Sequence, residues 1–208
     1  MTDKTYMQRA LELAYGQLGR TSPNPAVGCV IVRDGQIVAE AATGDGGRPH
    51  AEEMALQALG NMAEGATAYV TLEPCGERSG GGCSCSELLV RAKVGRVVFA
   101  CEDPSPYASH IGTRRLEGAG ISVETGLMNE DARGLIQGFV HYLNTGRPLV
   151  IESLNGAGCD ALYAPDDLSE PAADLAIWGE RGFRRLWVAQ GSEVALTLAK
   201  LGLLSDRV

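Results

Sequence analysis

Apolar residues recur along the chain at two alternating periods. "YMQRALELAYGQLG" sets Met7, Ala10, Leu11, Ala14 and Leu18 at helical spacing and predicts a helix over about residues 3–18, ended by Gly19. "VGCVIV" and "QIVAEAA" flank Asp34-Gly35, a dipeptide that accepts the positive φ of a tight hairpin turn. Pro23 and Pro25 hold "TSPNPA" extended as a loop. After a second loop at 43–49, Pro49 is expected to open a helix over His50–Leu59, since proline suits a first helical turn. "ATAYVTL" at 66–72 reads as a buried strand, about 86–92 as a helix, and "GRVVFAC" at 95–101 as a strand. A short helix at 112–120, a fifth strand in "ISVETG" and a long helix at 129–146 complete the series.

A hairpin followed by alternating helices and strands predicts a mixed sheet with helices on both faces. The fold class is therefore a three-layer α/β/α arrangement around a five-stranded mixed sheet. Beyond residue 147 the pattern changes. "PLVIESLNGAG" and "RRLWVAQG" look like strands and "SEVALTLAKLGLL" like a helix. About 60 residues build only a small lobe. The domains are thus drawn as 1–147 and a small α/β appendage over 148–208.

Composition narrows the partners. The 208 residues are 45% hydrophobic and 21% charged, as in ordinary globular proteins. The formal net charge of −8 and 5% aromatic content argue against a nucleic-acid partner, which a basic face and stacking rings would serve. A small phosphorylated substrate needs only a local basic pocket and stays compatible. No apolar run approaches the roughly 20 residues of a membrane helix. The charged N-terminus has no signal-peptide core, so a cytoplasmic protein without membrane attachment is expected. Six cysteines are too few for a disulfide scaffold, and clustered cytosolic cysteines more often bind metal or react.

His50, Cys75 and one of Cys83 or Cys85 suit a zinc ion, which takes imidazole and thiolate ligands tetrahedrally. Two thiolates and a neutral imidazole cancel its charge. Cys75 follows a strand, and a helix start nearby would lower its pKa. Glu52 completes the logic. Zinc lowers the pKa of its bound water, and a carboxylate that ligates nothing can carry the proton to a leaving group. Glu53 lies on the same helix, but the spacing favours Glu52. H-x-E followed by P-C-x-x-C is the signature of zinc nucleobase deaminases. This chain departs from it, with Arg78 where the second cysteine of P-C-x-x-C would stand. Cys29, Cys101 and Cys159 fall in or near strands and read as core or incidental. Arg48, Arg78 and Arg114 or Arg115 are the cations to watch for a substrate phosphate or carboxylate.

Residues 1 to about 150 resemble the deaminase domain of the bifunctional riboflavin-biosynthesis deaminase/reductases. The resemblance rests on "TSPNPAVGCVIVRDGQIV", "GRPHAEEMAL", "GATAYVTLEPC", "VGRVVFACEDPSP", "LEGAGISVETG" and "GFVHYLNTGRP", in that order. It implies a cytidine-deaminase-like fold and hydrolytic removal of an amino group from a phosphoribosylamino-pyrimidinone. It implies His50, Cys75 and Cys85 as zinc ligands, with Cys83 in a longer loop, and Glu52 as proton shuttle. It also implies that Asn24 contacts the base and that Asp103 lies at the substrate. A homodimer or larger assembly follows from the resemblance alone.

The departures concern the substrate rim. "GERSGGG" replaces a loop of the type S-H-x-G-x-T-P-P, placing Glu77 where a histidine is expected, and Thr43 replaces another histidine. "DPSPYASHIG" lacks the asparagine and glycine pair that follow Asp103 in the family. The C-terminal piece resembles a reductase domain reduced to its two ends, "ESLNGAG" and "LAIWGERGFRRLWVAQGSEVALTLAKLGLLSDRV". No reductase activity is expected of it. It is expected to pack on the first domain or serve an oligomer contact, with Trp178 and Trp187 as anchors. The rewritten rim leaves a riboflavin-type aminopyrimidine or a diverged heterocycle as the substrate, and the competing functions are a tRNA or nucleobase deaminase and a non-catalytic zinc-binding relative. A redox switch stays open for Cys83 alone.

Overall fold

The computed structural model describes residues 1–78, 81–105 and 110–205. Helix α1 (Asp3–Gln17) opens the chain, and the hydroxyl of its cap, Thr2, accepts the Thr5 N–H. Strands β1 (Gly28–Arg33) and β2 (Gln36–Ala42) form the expected hairpin. Asp34 and Gly35 turn it with φ of 51° and 74°, the conformation those residue types tolerate. There follow α2 (Ala51–Leu59), β3 (Thr67–Leu72), α3 (Cys85–Arg91), β4 (Arg96–Cys101), α4 (Ile111–Gly118), β5 (Ser122–Thr125) and α5 (Asn129–Thr145). The strand order is β2-β1-β3-β4-β5, antiparallel as far as β3 and parallel beyond it.

The two faces follow the alternation of side chains along each strand. Cys29, Ile31, Val70 and Phe99 pack on Ala55 of α2, Leu89 of α3 and Leu116 of α4. Val30, Tyr69, Val98 and Ala100 turn the other way, onto Met7 and Leu11 of α1 and Leu135 of α5. The central strands β3 and β4 are covered on both sides, hence their largely apolar, buried runs. Gly28 lets α1 lie close, because a Cβ there would stand 1.9 Å from the Ala10 carbonyl oxygen.

Arg96 ties the layers together. It reaches Asp3 Oδ2 at 2.6 Å and Glu124 Oε2 at 2.8 Å, and the Tyr69 hydroxyl donates to Asp3 Oδ1 at 2.7 Å. Hydrogen bonds from Arg96 and Tyr69 hold the Asp3 carboxyl below its ordinary value of 3.8. A lowered acid stabilises the fold above its unfolded pKa and loses that contribution as pH falls through the folded one. Because Asp3 is nearly half exposed, solvent screening limits Asp3→Asn to a cost of roughly 0.5–1 kcal/mol at neutral pH. Urea titrations should show that difference shrinking below about pH 4.

The second lobe is a parallel sheet in the order β6-β8-β7, with β6 (Leu149–Ser153), β7 (Ala161–Leu162) and β8 (Arg185–Ala189), plus α6 (Pro171–Glu180) and α7 (Glu193–Lys200). The sequence pattern missed β7 and α6, and it carried β6 too far, since the chain turns after Ser153. Trp178 does not anchor the lobe to its neighbour. It packs on Tyr163 and Phe183 within the lobe's own core, with ring centroids 6.1 and 4.7 Å away. Trp187 covers Gly156, whose added Cβ would stand 2.2 Å from the indole Nε1.

Polar groups and close backbone approaches join the lobes instead. Arg185 Nη1 donates to the Gly134 carbonyl at 3.1 Å, and the Ser22 hydroxyl donates to Asp160 Oδ2 at 2.6 Å. A Cβ on Gly19 would lie 2.5 Å from the Cys159 carbonyl oxygen. Among the described residues no helix is long and apolar enough to cross a membrane.

Candidate active site

His50 is the cap residue of α2, but its side chain makes no capping hydrogen bond. Pro49 stands before the cap, not in the first turn as expected. Its carbonyl accepts the Gly44 N–H and keeps it in the preceding loop. Glu52 follows in the first turn of α2 and is 3% exposed. Cys75 lies just past β3, and Cys85 is the first residue of α3. Ser84 caps that helix in a reciprocal pair with Glu87, which fixes where Cys85 sits.

One ligand atom from each of His50, Cys75 and Cys85 falls within 4.8 Å of the others. His50 Nδ1 is 3.2 Å from Cys85 Sγ and 3.8 Å from Cys75 Sγ. Bonds of about 2.0 Å to nitrogen and 2.3 Å to sulfur in a tetrahedron require separations on this order, so the donors fit zinc. Cys83 is half-buried and outside the group. The Cys85 N–H donates to Cys75 Sγ at 3.3 Å, so the helix start expected to favour a Cys75 thiolate is that of α3, ten residues on. The Cys85 thiol and His50 also hydrogen-bond the Cys75 sulfur, holding Cys75 well below the ordinary thiol value. The same bond to Cys75, with burial, pushes Cys85 up.

The loop between the cysteines is clamped from α4. Arg115 Nη1 donates to the Gly76 carbonyl at 2.6 Å and to the Ser84 and Ser86 hydroxyls at 3.0 and 2.6 Å. Arg115 is thus spent on the loop and is corrected as an anion-binding candidate. Arg114 is exposed and lies outside the cavity lining. Gly112 makes the clamp possible, because a Cβ there would stand 2.0 Å from the Pro74 carbonyl oxygen. Gly112→Ala must push Pro74 and Cys75 away. We expect a folded protein that holds substoichiometric zinc after dialysis, read by metal analysis, with a stability loss of about 1–3 kcal/mol.

His50 and Cys75 open onto a cavity of about 310 Å³, while Cys85 is buried outside its lining. Glu52 lines it, and burial pushes its carboxyl up, opposed by His50 and reinforced by Cys75. Asn24 lines it too and donates from Nδ2 to the Gly47 carbonyl at 2.9 Å. Asp103 lines it with Oδ1 on the Ser105 N–H at 2.8 Å, and burial raises its pKa. Arg78 is 10% exposed and pairs with Glu53 at 2.8 Å, so its charge is already balanced. Arg48 is exposed at the rim.

Sequence reasoning, which takes Glu73 before Pro74 as structural, missed part of the lining. Glu73 is buried, and its Oε1 accepts the Thr113 hydroxyl at 2.8 Å. Phe139, Tyr142 and Leu143 come from one face of α5, an i, i+3, i+4 spacing visible in the sequence. Arg184 arrives from the second lobe. A hollow of about 900 Å³ shares Asp103 with this cavity and another of about 640 Å³ lies on the second lobe, but neither includes the His/Cys/Cys group.

Comparison with known proteins agrees with this geometry. Residues 1–101 match the cytidine and deoxycytidylate deaminase zinc-binding region, a span that holds all three donors and Glu52. The chain is 48% identical over 147 residues to the chloroplastic riboflavin biosynthesis protein PYRD of Zea mays, covering 71% of this chain and 37% of that protein. It is 48% identical over 164 residues to riboflavin biosynthesis protein RibD of Escherichia coli, covering 79% and 44%. It therefore spans about two fifths of the length of these relatives. The solved structure of Acinetobacter baumannii RibD superposes with a TM-score of 0.78 at 28% identity, covering 97% of this chain and 84% of that one. A Thermotoga maritima deaminase/reductase, at 23% identity and a TM-score of 0.80, shares the fold. Residues 1–101 thus carry a cytidine and deoxycytidylate deaminase zinc-binding region, in a chain that is similar over most of its length to riboflavin biosynthesis proteins.

Proposed function

We propose that the protein is a zinc-dependent hydrolase that releases ammonia from an aminopyrimidine of the diaminohydroxyphosphoribosylaminopyrimidine type. The observation that carries this reading is Glu52. A carboxylate 3% exposed is costly to bury, and one that opens onto the cavity beside the metal donors has a use there. A purely structural metal clamp would gain nothing from it.

In this reading His50, Cys75 and Cys85 hold zinc, and Glu52 is the catalytic residue. The zinc ion supplies Lewis acidity and lowers the pKa of water. Glu52 takes a proton from the attacking water and gives it to the amino nitrogen. A C–O bond forms at the ring carbon, the C–N bond breaks and ammonia leaves. Asn24 orients the base, while Arg78 and Asp103 face the substrate's substituents. The catalytic domain is taken as residues 1–147. The appendage at 148–208 is read as support for the cavity, without a reaction of its own. At least a homodimer is read from the resemblance to the riboflavin-biosynthesis deaminase/reductases alone.

The test is ammonia release by the zinc-loaded chain on a panel: the phosphoribosylated aminopyrimidine, cytidine, dCMP, adenosine and a single-stranded oligonucleotide. The expected result is release from the aminopyrimidine well above the rest. Release from the oligonucleotide alone would replace this reading with a nucleic-acid deaminase.

A further inference from the structure

We propose that Arg184, supplied by the second lobe, is a specificity-determining residue that binds a phosphate monoester on the substrate's side arm. The proposal rests on the deaminase reading and adds the chemical class of the group recognised.

Arg184 is held before β8 from several sides. Its backbone N–H donates to Asp160 Oδ2 at 2.6 Å. That same oxygen accepts the Ser22 hydroxyl and the Arg185 N–H, so the lobe is tied to the loop that carries Asn24. Nη1 donates to the carbonyls of Gly179 at 2.9 Å and Phe183 at 2.8 Å. The guanidinium carbon lies 3.6 Å from the centroid of the Tyr142 ring, a stacked cation–π contact. A cation fixed this way meets a ligand with little further loss of rotamer freedom.

Its charge is not met by an acid. Among the described residues no carboxylate lies within 4.0 Å of its guanidinium, whereas Arg78 in the same cavity has Glu53 at 2.8 Å. Asp160, the acid in contact with its backbone, spends Oδ2 on three other donors. Arg184 Nε is buried without a partner, and burial lowers the pKa of the side chain. A partly desolvated guanidinium without a counter-ion is stabilised by an anion, and with Nη1 on two carbonyls and Nε buried, Nη2 is the donor left for a phosphate oxygen. The 76–84 loop brings only Arg78 to the cavity as a cation, already paired, and Arg48 sits exposed at the rim. Arg184 is the arginine of this cavity that is both fixed and unneutralised.

The experiment compares the zinc-loaded full chain with Arg184→Gln and Arg184→Lys. Calorimetry with ribose 5-phosphate and with ribose reads binding without turnover. Wild type is expected to bind ribose 5-phosphate, and Arg184→Gln to weaken it by about tenfold or more. Arg184→Lys keeps the charge but loses the Nη1 anchors and the stacking on Tyr142 that fix it, and should fall in between. In turnover, Arg184→Gln should raise KM for the phosphorylated aminopyrimidine while leaving kcat, and the KM of its dephosphorylated form, unchanged. A purely structural arginine would instead affect both forms alike. Equal ribose 5-phosphate affinity in wild type and variant, no binding by wild type, or an equal loss for both forms would each overturn the proposal. If Arg184→Gln does not fold, Arg184→Lys decides by the same comparison. Failure of ammonia release would count against the deaminase reading and leave the binding result standing.

Discussion

Glu52→Gln is expected to keep its zinc and to lose ammonia release by about 10²–10⁴-fold, or ~3–5 kcal/mol of transition-state stabilisation. Glutamine has nearly the shape of glutamate, so it should fill the same buried place in the first turn of α2. It cannot accept a proton from water and pass it on. None of the three metal donors is removed, because His50, Cys75 and Cys85 form the group without Glu52. Burial already disfavours the charged carboxylate at this position. Replacing it with a neutral amide should therefore leave the melting temperature equal or slightly higher. Metal content by elemental analysis and ammonia release on the same preparation separate two outcomes. Zinc retained with activity lost supports the shuttle. Zinc retained with activity intact means that another group moves the proton, and the assigned mechanism fails.

The five-stranded sheet and its helices were legible because their signals are local. Asp34-Gly35 marks a hairpin by backbone chemistry, and β3 and β4 announce double burial by largely apolar runs. The second lobe was less so. β7 is only Ala161–Leu162, too short for a period to show. In α6, Ile177 is 46% exposed, so the helix has no clean apolar face, although Pro171 at its start was a usable signal. Pro49 misled for a related reason. Proline suits both a first turn and the residues just before a cap, and only the Gly44 hydrogen bond decides between them.

In the site, the spacing of H-A-E and E-P-C was visible, while the supporting contacts were not. Arg115 lies on the helix the pattern predicted, yet nothing local says that its guanidinium reaches Gly76, Ser84 and Ser86. Arg184 is further from inference still, since it enters the cavity only because two lobes meet. One signal was present and unused. Ser84-x-x-Glu87 is a capping box, and it places Cys85, not Cys83, at the rigid start of a helix.

That difference makes the cysteine pair the sharper test of the metal centre. Cys85→Ser is expected to bring zinc content from one per chain to near zero, and Cys83→Ser to leave it at one. A serine oxygen at the start of α3 is a far poorer zinc ligand than a thiolate. The site would be left with His50 and Cys75, and Cys75 would lose the sulfur partner that favours its thiolate. Because zinc binds the folded state, its loss also removes stabilisation that grows with free metal concentration. Wild type and Cys83→Ser should therefore melt lower after treatment with a chelator. Cys85→Ser should melt low at the outset and not respond. The reverse pattern, with zinc lost on changing Cys83 and kept on changing Cys85, would mean that the loop holds the metal two residues earlier. The capping box of α3 would then be a structural coincidence, and the 3.2 Å approach of His50 Nδ1 to Cys85 Sγ would not mark a ligand pair.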